Sequence, residues 1–141
     1  MKKNKQGFTL IELLVVIAII GLLATLSVVA LNSARVKSRD AKRLSDIRQI
    51  QTGLELYFDE ASKYPTNAIA ATLSSGGDFA STASGTVYLG RVPTNPTPVN
   101  DGICSSSAAY TYTQWNSGAS YTLSYCLSDI GNSTATPTGI K

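Results

Sequence analysis

From Phe8 to Leu31 the only charged side chain is Glu12. The run exceeds the roughly 20 residues a helix needs to cross the hydrocarbon of a bilayer, so it predicts a membrane-spanning or bundle-core helix. The pattern then changes without a break. No proline occurs before Pro65, and Leu44, Ile47, Ile50, Leu54, Tyr57 or Phe58, and Ala61 recur at three-to-four-residue steps, the period of a single helical stripe. One helix is expected, apolar all round over 8–31 and amphipathic over 32–63. At 1.5 Å per residue such a rod is roughly 80 Å long, and no small domain buries it. The first half needs lipid or copies of itself; the second needs a head packed on one stripe. Pro65 disfavours helical geometry at Tyr64 and marks the end. Gly21, a poor helix former, is the expected weak point of the apolar half.

Residues 64–141 alternate differently. Ala71–Gly85 is rich in Ser, Gly, Ala and Thr and reads as a surface loop. Thr86–Val92 is a candidate strand, and Pro93–Pro98, with three prolines, a rigid connector. The clearest signal is a hairpin, Ala109–Trp115 and Ser120–Leu127 about the turn-forming Asn116–Ala119. Pairing Trp115 with Ser120 sets Tyr112 opposite Leu123 and Tyr110 opposite Tyr125, giving an aromatic face to pack on the helix. Thr111, Thr113, Trp115, Thr122, Ser124 and Cys126 take the other face. The polar tail Ser128–Lys141 is expected to be exposed. The predicted fold class is α+β, a long amino-terminal helix packed on a small antiparallel sheet. A head of this size is near the lower limit for independent folding, so packing on the helix matters.

Charge sharpens the division. Twelve Lys and Arg stand against nine Asp and Glu, and Lys2, Lys3 and Lys5 precede Gly7. Without those three the chain is near neutral, which excludes a global basic field for nucleic acid. The leading lysines hold the amino terminus in the cytoplasm; a second cluster beyond the span (Arg35, Lys37, Arg39, Lys42, Arg43, Arg48) weakens that rule without reversing it. An ordinary secretory signal has an apolar stretch of about 7–15 residues followed by a cleavage site, whereas here the apolar block is longer and is retained. Arg35, Arg39, Lys42 and Arg43 form a basic band and Glu55, Asp59 and Glu60 an acidic one. Either the bands face each other on neighbouring subunits, or they are a solvated face. Catalytic chemistry is not visible. The chain has no His and two Cys, which excludes His-dependent triads and a four-ligand zinc site, so neither an enzyme nor a cofactor is expected. Gly76-Gly77-Asp78 lacks the spacing and lysine of a phosphate loop. Asn132-Ser133-Thr134 fits a glycosylation pattern, a weak three-residue signal.

Gly7-Phe8-Thr9-Leu10-Ile11-Glu12 resembles the class III signal of type IV pilins and pseudopilins, and the likeness covers the leader and the helix through about Pro65. It implies a pilin fold and four segments: a cleaved leader 1–7, a transmembrane and filament-core helix 8–31, its amphipathic continuation 32–63, and a β-rich head 64–141. By resemblance a prepilin peptidase and N-methyltransferase cuts between Gly7 and Phe8 and methylates Phe8, and Glu12 acts in assembly. A carboxylate inside an apolar span is a functional-site hypothesis on physical grounds as well. No cation lies within a helical turn of Glu12 inside the span, and cutting after Gly7 supplies one, the α-amino group of Phe8. The competing reading is that Glu12 simply complements the positive end of the helix dipole.

The same resemblance implies a single-pass cytoplasmic-membrane protein that joins a homopolymeric helical surface filament. An assembly platform protein and an ATPase would act in trans, with adhesion, motility or DNA uptake as output. A major type IV pilin-like subunit is the reading, with a major pseudopilin of a type II secretion-like system as the alternative. Cys104 and Cys126, an even number in an oxidising compartment, suggest one bridge, as does the disulfide-bounded carboxy-terminal region of many pilins; two buried free thiols are the alternative. Asn100, Asp101 and Asp129 offer oxygens to calcium, as a loop of major pseudopilins does, but turn chemistry explains them more simply and no metal is expected. A signal-anchored monomer would keep Met1 or Lys2. A DNA-binding minor pilin would use Arg91 with exposed tyrosines; DNA binding is possible but not indicated.

Overall fold

The computed structural model describes residues 7–66, 77–80, 85–104, 109–137 and 139–140. The chain divides into two compact units, Met1–Arg35 and Val36–Lys141. Helix α1, Leu10–Ala61, runs through both.

In the first unit α1 continues through Gly21 without a break, because one glycine costs only about 1 kcal/mol against alanine in a helix interior. Its large apolar side chains are all exposed. The hydroxyls of Thr25 and Ser27 turn back to the carbonyls of Leu22 and Leu23 at 2.8 Å each, so these polar residues satisfy their donors within the helix. What remains is a surface for lipid or protein rather than water.

In the second unit α1 ends at Ala61, two residues before the expected 63. Ser62 adopts a left-handed conformation, φ 53°, and its amide donates to the Phe58 carbonyl at 2.7 Å, closing the last turn as αL caps do. The buried stripe is Ile47, Ile50, Leu54 and Tyr57, with Leu44, Phe58 and Ala61 packed at its margins, as the spacing predicts. Gly53 belongs to the same stripe. A Cβ there would stand 2.8 Å from Cγ and Cδ1 of Leu89, so the missing side chain is what lets that leucine close onto the helix.

Strands β1 (Phe79–Ala80) and β2 (Val87–Leu89) pair antiparallel. Strands β3 (Thr111–Trp115), β4 (Ser120–Leu127), β5 (Gly131–Thr136) and β6 (Gly139–Ile140) form an antiparallel sheet in that order. The hairpin has the expected register, with Trp115 opposite Ser120 and Tyr112 opposite Leu123. Its turn places Asn116, Ser117 and Gly118 at φ 51°, 55° and 98°, the region that Asn and Gly tolerate best. Tyr121, Leu123 and Tyr125 point into the core while Thr111, Thr113 and Trp115 stay exposed. Cys126, on the outer face, is also buried.

Two expectations about the head are corrected. The tail is not simply exposed: β5 pairs Leu127 with Gly131 and Leu123 with Ala135, and Gly131, Ser133 and Ala135 are buried while Asn132 faces out. Its inward residues are small, so their period-two pattern carries almost no apolar signal. Residues 138 and 141 lie outside the described residues. The predicted loop 71–85 also contains structure. Residues 71–76 and 81–84 lie outside the described residues, but β1 buries Phe79 completely, its ring 5.7 Å from Tyr57 and 5.3 Å from Tyr88. The strand expected over 86–92 shortens to β2. Pro93–Pro98 runs without regular structure and includes a cis Thr97–Pro98 bond.

Candidate functional site

Gly7, Phe8 and Thr9 precede α1 in non-helical conformation, and Phe8 is 92% exposed. Thr9 and Glu12 make a reciprocal cap. The Thr9 amide and hydroxyl both donate to Glu12 Oε2 at 2.8 Å, and the Glu12 amide donates to Thr9 Oγ1 at 3.3 Å. This is the capping box, in which side chains at the helix start satisfy backbone donors that have no intrahelical partner. The sequence pattern Thr-x-x-Glu announces it, and in the uncut chain, where no cation lies within a helical turn, Thr9 is the partner of Glu12. Both recorded bonds to the carboxylate end on Oε2, one turn after Phe8.

In the second unit a set of ion pairs ties the helix to two loops. Asp101 accepts from Arg39 Nε at 2.5 Å and Nη2 at 2.7 Å, and from Arg43 Nη2 at 2.9 Å. Arg43, with no exposed surface, also donates to Asp40 at 2.6 Å, to the Asn95 side chain at 2.9 Å and to the Pro98 carbonyl at 3.4 Å. Asp40 in turn accepts from the Ser128 amide and hydroxyl. The Arg39 hydrogen bond, with help from Arg43, holds the Asp101 carboxyl below its ordinary range in spite of burial. Asp46 behaves oppositely. Burial pushes its carboxyl up against the lowering effects of the Tyr110 hydroxyl, which donates to it at 3.0 Å, and of Lys42.

These contacts correct the charge-band picture. Arg39 and Arg43 are committed within the chain, where partners 58 and 62 residues away claim them, so they do not belong to an exposed intersubunit band. Of the residues considered for calcium, Asp101 has both oxygens taken by guanidinium groups, and Asn100 and Asp129 are exposed.

Cys104 and Cys126 are bonded to each other, with Cα atoms 5.8 Å apart. Beside them the Cys104 amide donates to the Asp101 carbonyl at 3.0 Å and the Ile103 amide to the Ser128 carbonyl at 3.1 Å. The bridge and the ion pairs thus fasten the same two loops. Arg91 lines an open groove of about 320 Å³ with Lys42, Asp46, Gln49, Val92, Pro93 and Thr94. The exposed tyrosines that a nucleic-acid surface needs are not beside it: all seven tyrosines are buried or half-buried, turned inward by the aromatic core.

The prokaryotic N-terminal methylation motif matches residues 2–28. Among curated proteins the chain is 41% identical over 66 residues to type II secretion system core protein G of Dickeya chrysanthemi, covering 47% of this chain and 43% of that protein. It is 34% identical over 102 residues to core protein G of Vibrio cholerae, covering 71% and 60%. It is 31% identical over 61 residues to type IV major pilin protein PilA of Myxococcus xanthus, covering 43% and 28%. The chain thus spans about half the length of the curated relatives it matches first. No solved structure gives a significant match. Among the described residues, the one helix long and apolar enough to cross a membrane begins two residues after Phe8, within the matched motif. In its amino-terminal half, from the methylation motif through the helix, this chain is similar to type IV pilins and pseudopilins.

Proposed function

We propose that the chain is the major pseudopilin of a type II secretion-like system. It would be cut between Gly7 and Phe8, methylated on Phe8 and polymerised through its apolar helix with Glu12 guiding entry. The observation that carries this reading is the Vibrio cholerae core protein G likeness, which extends over 71% of the chain and so beyond the helix that pilins and pseudopilins share. The PilA likeness covers 43%. Segments 1–7, 8–31, 32–63 and 64–141 then act as leader, anchor and filament core, connecting helix and head.

After cleavage the Phe8 amine would stand one turn from Glu12. Thr9 already holds one carboxylate oxygen, so the glutamate is oriented before it meets a cation, either its own terminus or that of a neighbour. In the cytoplasmic membrane the subunit would wait with its amino terminus inside. The peptidase, an assembly platform protein and an ATPase would be its partners in trans.

Deleting the encoding gene tests the reading. Loss of exported proteins from the medium, with surface fibres unchanged, supports a pseudopilin; intact secretion with loss of surface fibres supports the type IV pilin reading, which the PilA likeness keeps in view. The amino-terminal mass of the membrane-extracted protein reports processing, and a terminus at Met1 or Lys2 would remove both.

A further inference from the structure

Among the described residues of the second unit, Ile103 and Ile130 are the most exposed large apolar side chains, at 68% and 72%, and they sit on adjoining loops. The Ile103 amide donates to the Ser128 carbonyl at 3.1 Å. Cδ1 of Ile103 lies 3.1 Å from where a Cβ on Gly131 would stand, so the glycine beside Ile130 makes room for Ile103. The Cys104–Cys126 bridge and the contacts of Asp101 and Asp40 brace both loops against α1. Single exposed apolar residues are ordinary; two brought together on a braced surface point to something that covers them. That surface lies at one end of the head. Strand β4 starts beside Tyr64, whose amide donates to the Gly118 carbonyl at 2.8 Å, and ends beside Asp40, which accepts from the Ser128 amide at 3.2 Å. The β4–β5 turn is therefore at the end by which the chain enters this unit. Lys37 and Lys42 are exposed there and join none of the recorded ion pairs among the described residues. At 3.6 residues per turn they fall about 110° to either side of the direction shared by Arg39, Asp40 and Arg43, so they flank the loops. Against them stands Asp129, the exposed carboxylate next to Ile130.

We propose that this end of the head docks on an anionic lipid surface, that of the membrane holding the apolar helix. The proposal rests on the reading of the chain as membrane-anchored before assembly and gives it a second point of contact. Aliphatic side chains beside exposed cations are the combination that binds at a lipid–water boundary: the first enter the headgroup region, and the second meet anionic headgroups. Chain length keeps the surface in reach. Arg39 follows Leu31, the last residue of the apolar run, by eight residues, roughly 12 Å of helix. The headgroup layer is itself roughly 5–7 Å deep on each side of the hydrocarbon. The loops fastened to Arg39 and Asp40 cover the small remainder. Charge selects the occupant as well. Lys37 and Lys42 outnumber Asp129, which favours an anionic surface and disfavours a second copy presenting the same cations. Docked in this way, the head is held against the bilayer, and withdrawal of the helix from the membrane has to lift these loops off the lipid first.

The test uses the full chain reconstituted in vesicles of phosphatidylethanolamine and phosphatidylglycerol whose acyl chains are brominated just below the headgroups. Trp115, the single tryptophan of the chain, pairs with Ser120 at the other end of β4 and should keep its emission in the native protein. Ile130→Trp in a Trp115→Phe background should be strongly quenched and blue-shifted. Ile103→Trp in the same background should behave alike, and it serves where the first variant lowers the amount of folded protein. Retention of the Cys104–Cys126 bridge checks that each head is folded. Lys37→Gln with Lys42→Gln should reduce the quenching severalfold, as should phosphatidylcholine alone; equal quenching in phosphatidylcholine would overturn the role given to the lysines. Unquenched emission from both introduced tryptophans, in chains that float with the vesicles, would overturn the docking and leave the anchored reading standing. A blue shift without quenching that grows with the protein-to-lipid ratio would overturn it in favour of a second copy. A native chain that does not float with the vesicles would overturn both.

Discussion

Single residues decide where the helix and head meet, and few of them look special in the sequence. Gly53 is the clearest case. The hydrophobic period marks its position as inward, but glycine contributes no hydrophobic signal, and only its distance to Leu89 shows that close approach is required. Gly53→Leu should destabilise the head by roughly 1–3 kcal/mol, the usual cost of overpacking. Gly53→Ala combined with Leu89→Ala should recover stability relative to Gly53→Ala alone, measured by thermal melts as a double-mutant cycle. Additive effects would show that the two side chains do not compete for one space. Asp101 is the electrostatic counterpart. Its folded carboxyl is held below the ordinary value of 3.8, so its contribution to stability is present above that value and is lost as pH falls through the folded one. Acid melts of the native protein should therefore show a falling midpoint below about pH 4. Asp101→Asn should lower the neutral-pH midpoint by several degrees and flatten the acid limb. Asp46, with its carboxyl raised by burial, pulls the other way in both proteins, so it does not account for the difference between them. An unchanged acid limb in Asp101→Asn would remove the assignment. That Arg39 and Arg43 meet Asp101 could not be read from the chain, because charge patterning reports neighbours at helical spacing and these partners lie far apart in sequence.

At the scale of elements, what could be read ahead depended on side-chain size. The β3–β4 hairpin was legible to the register because Tyr110, Tyr112, Tyr121, Leu123 and Tyr125 alternate with Thr and Ser, and one slip would turn every ring to solvent. The next strand uses the same alternation with Gly131, Ser133 and Ala135 inward, residues too small to give an apolar signal. Helix α1 is legible in type and extent, and its Thr9–Glu12 cap is a local pattern that the apolar run around it obscures. The disulfide is the covalent element of the head. Cys104 and Cys126 are 22 residues apart, and closing a loop of that size restricts the unfolded chain by an amount worth roughly 3 kcal/mol. Cys104→Ser with Cys126→Ser should lose stability of that order in denaturant titrations. Alkylation of the native protein without reductant should label neither cysteine; two labelled thiols would contradict the bridge.

For the whole molecule the question is what replaces a large core in a small head. Two internal fasteners, the bridge and the Arg39–Asp101–Arg43–Asp40 ion pairs, hold the same pair of loops, at Asp101–Cys104 and at Cys126–Ser128, against the helix. A buried ion pair set is itself weak evidence for stability, because desolvation offsets much of the attraction, but removing one member leaves the rest uncompensated. The set therefore makes the loop arrangement specific, and it does so with cations carried by the protein. If the loops took their order from calcium, carboxylates would have to face an ion; instead the Asp101 oxygens face two guanidinium groups and Asp40 faces Arg43 and Ser128. Melting the native protein in chelator and in millimolar calcium should thus give the same midpoint, whereas Arg43→Met should lower it in both solutions. A midpoint that rises with calcium in the native protein would show that a metal, not the arginines, orders these loops, and Arg43→Met would then melt with the native protein once calcium is present.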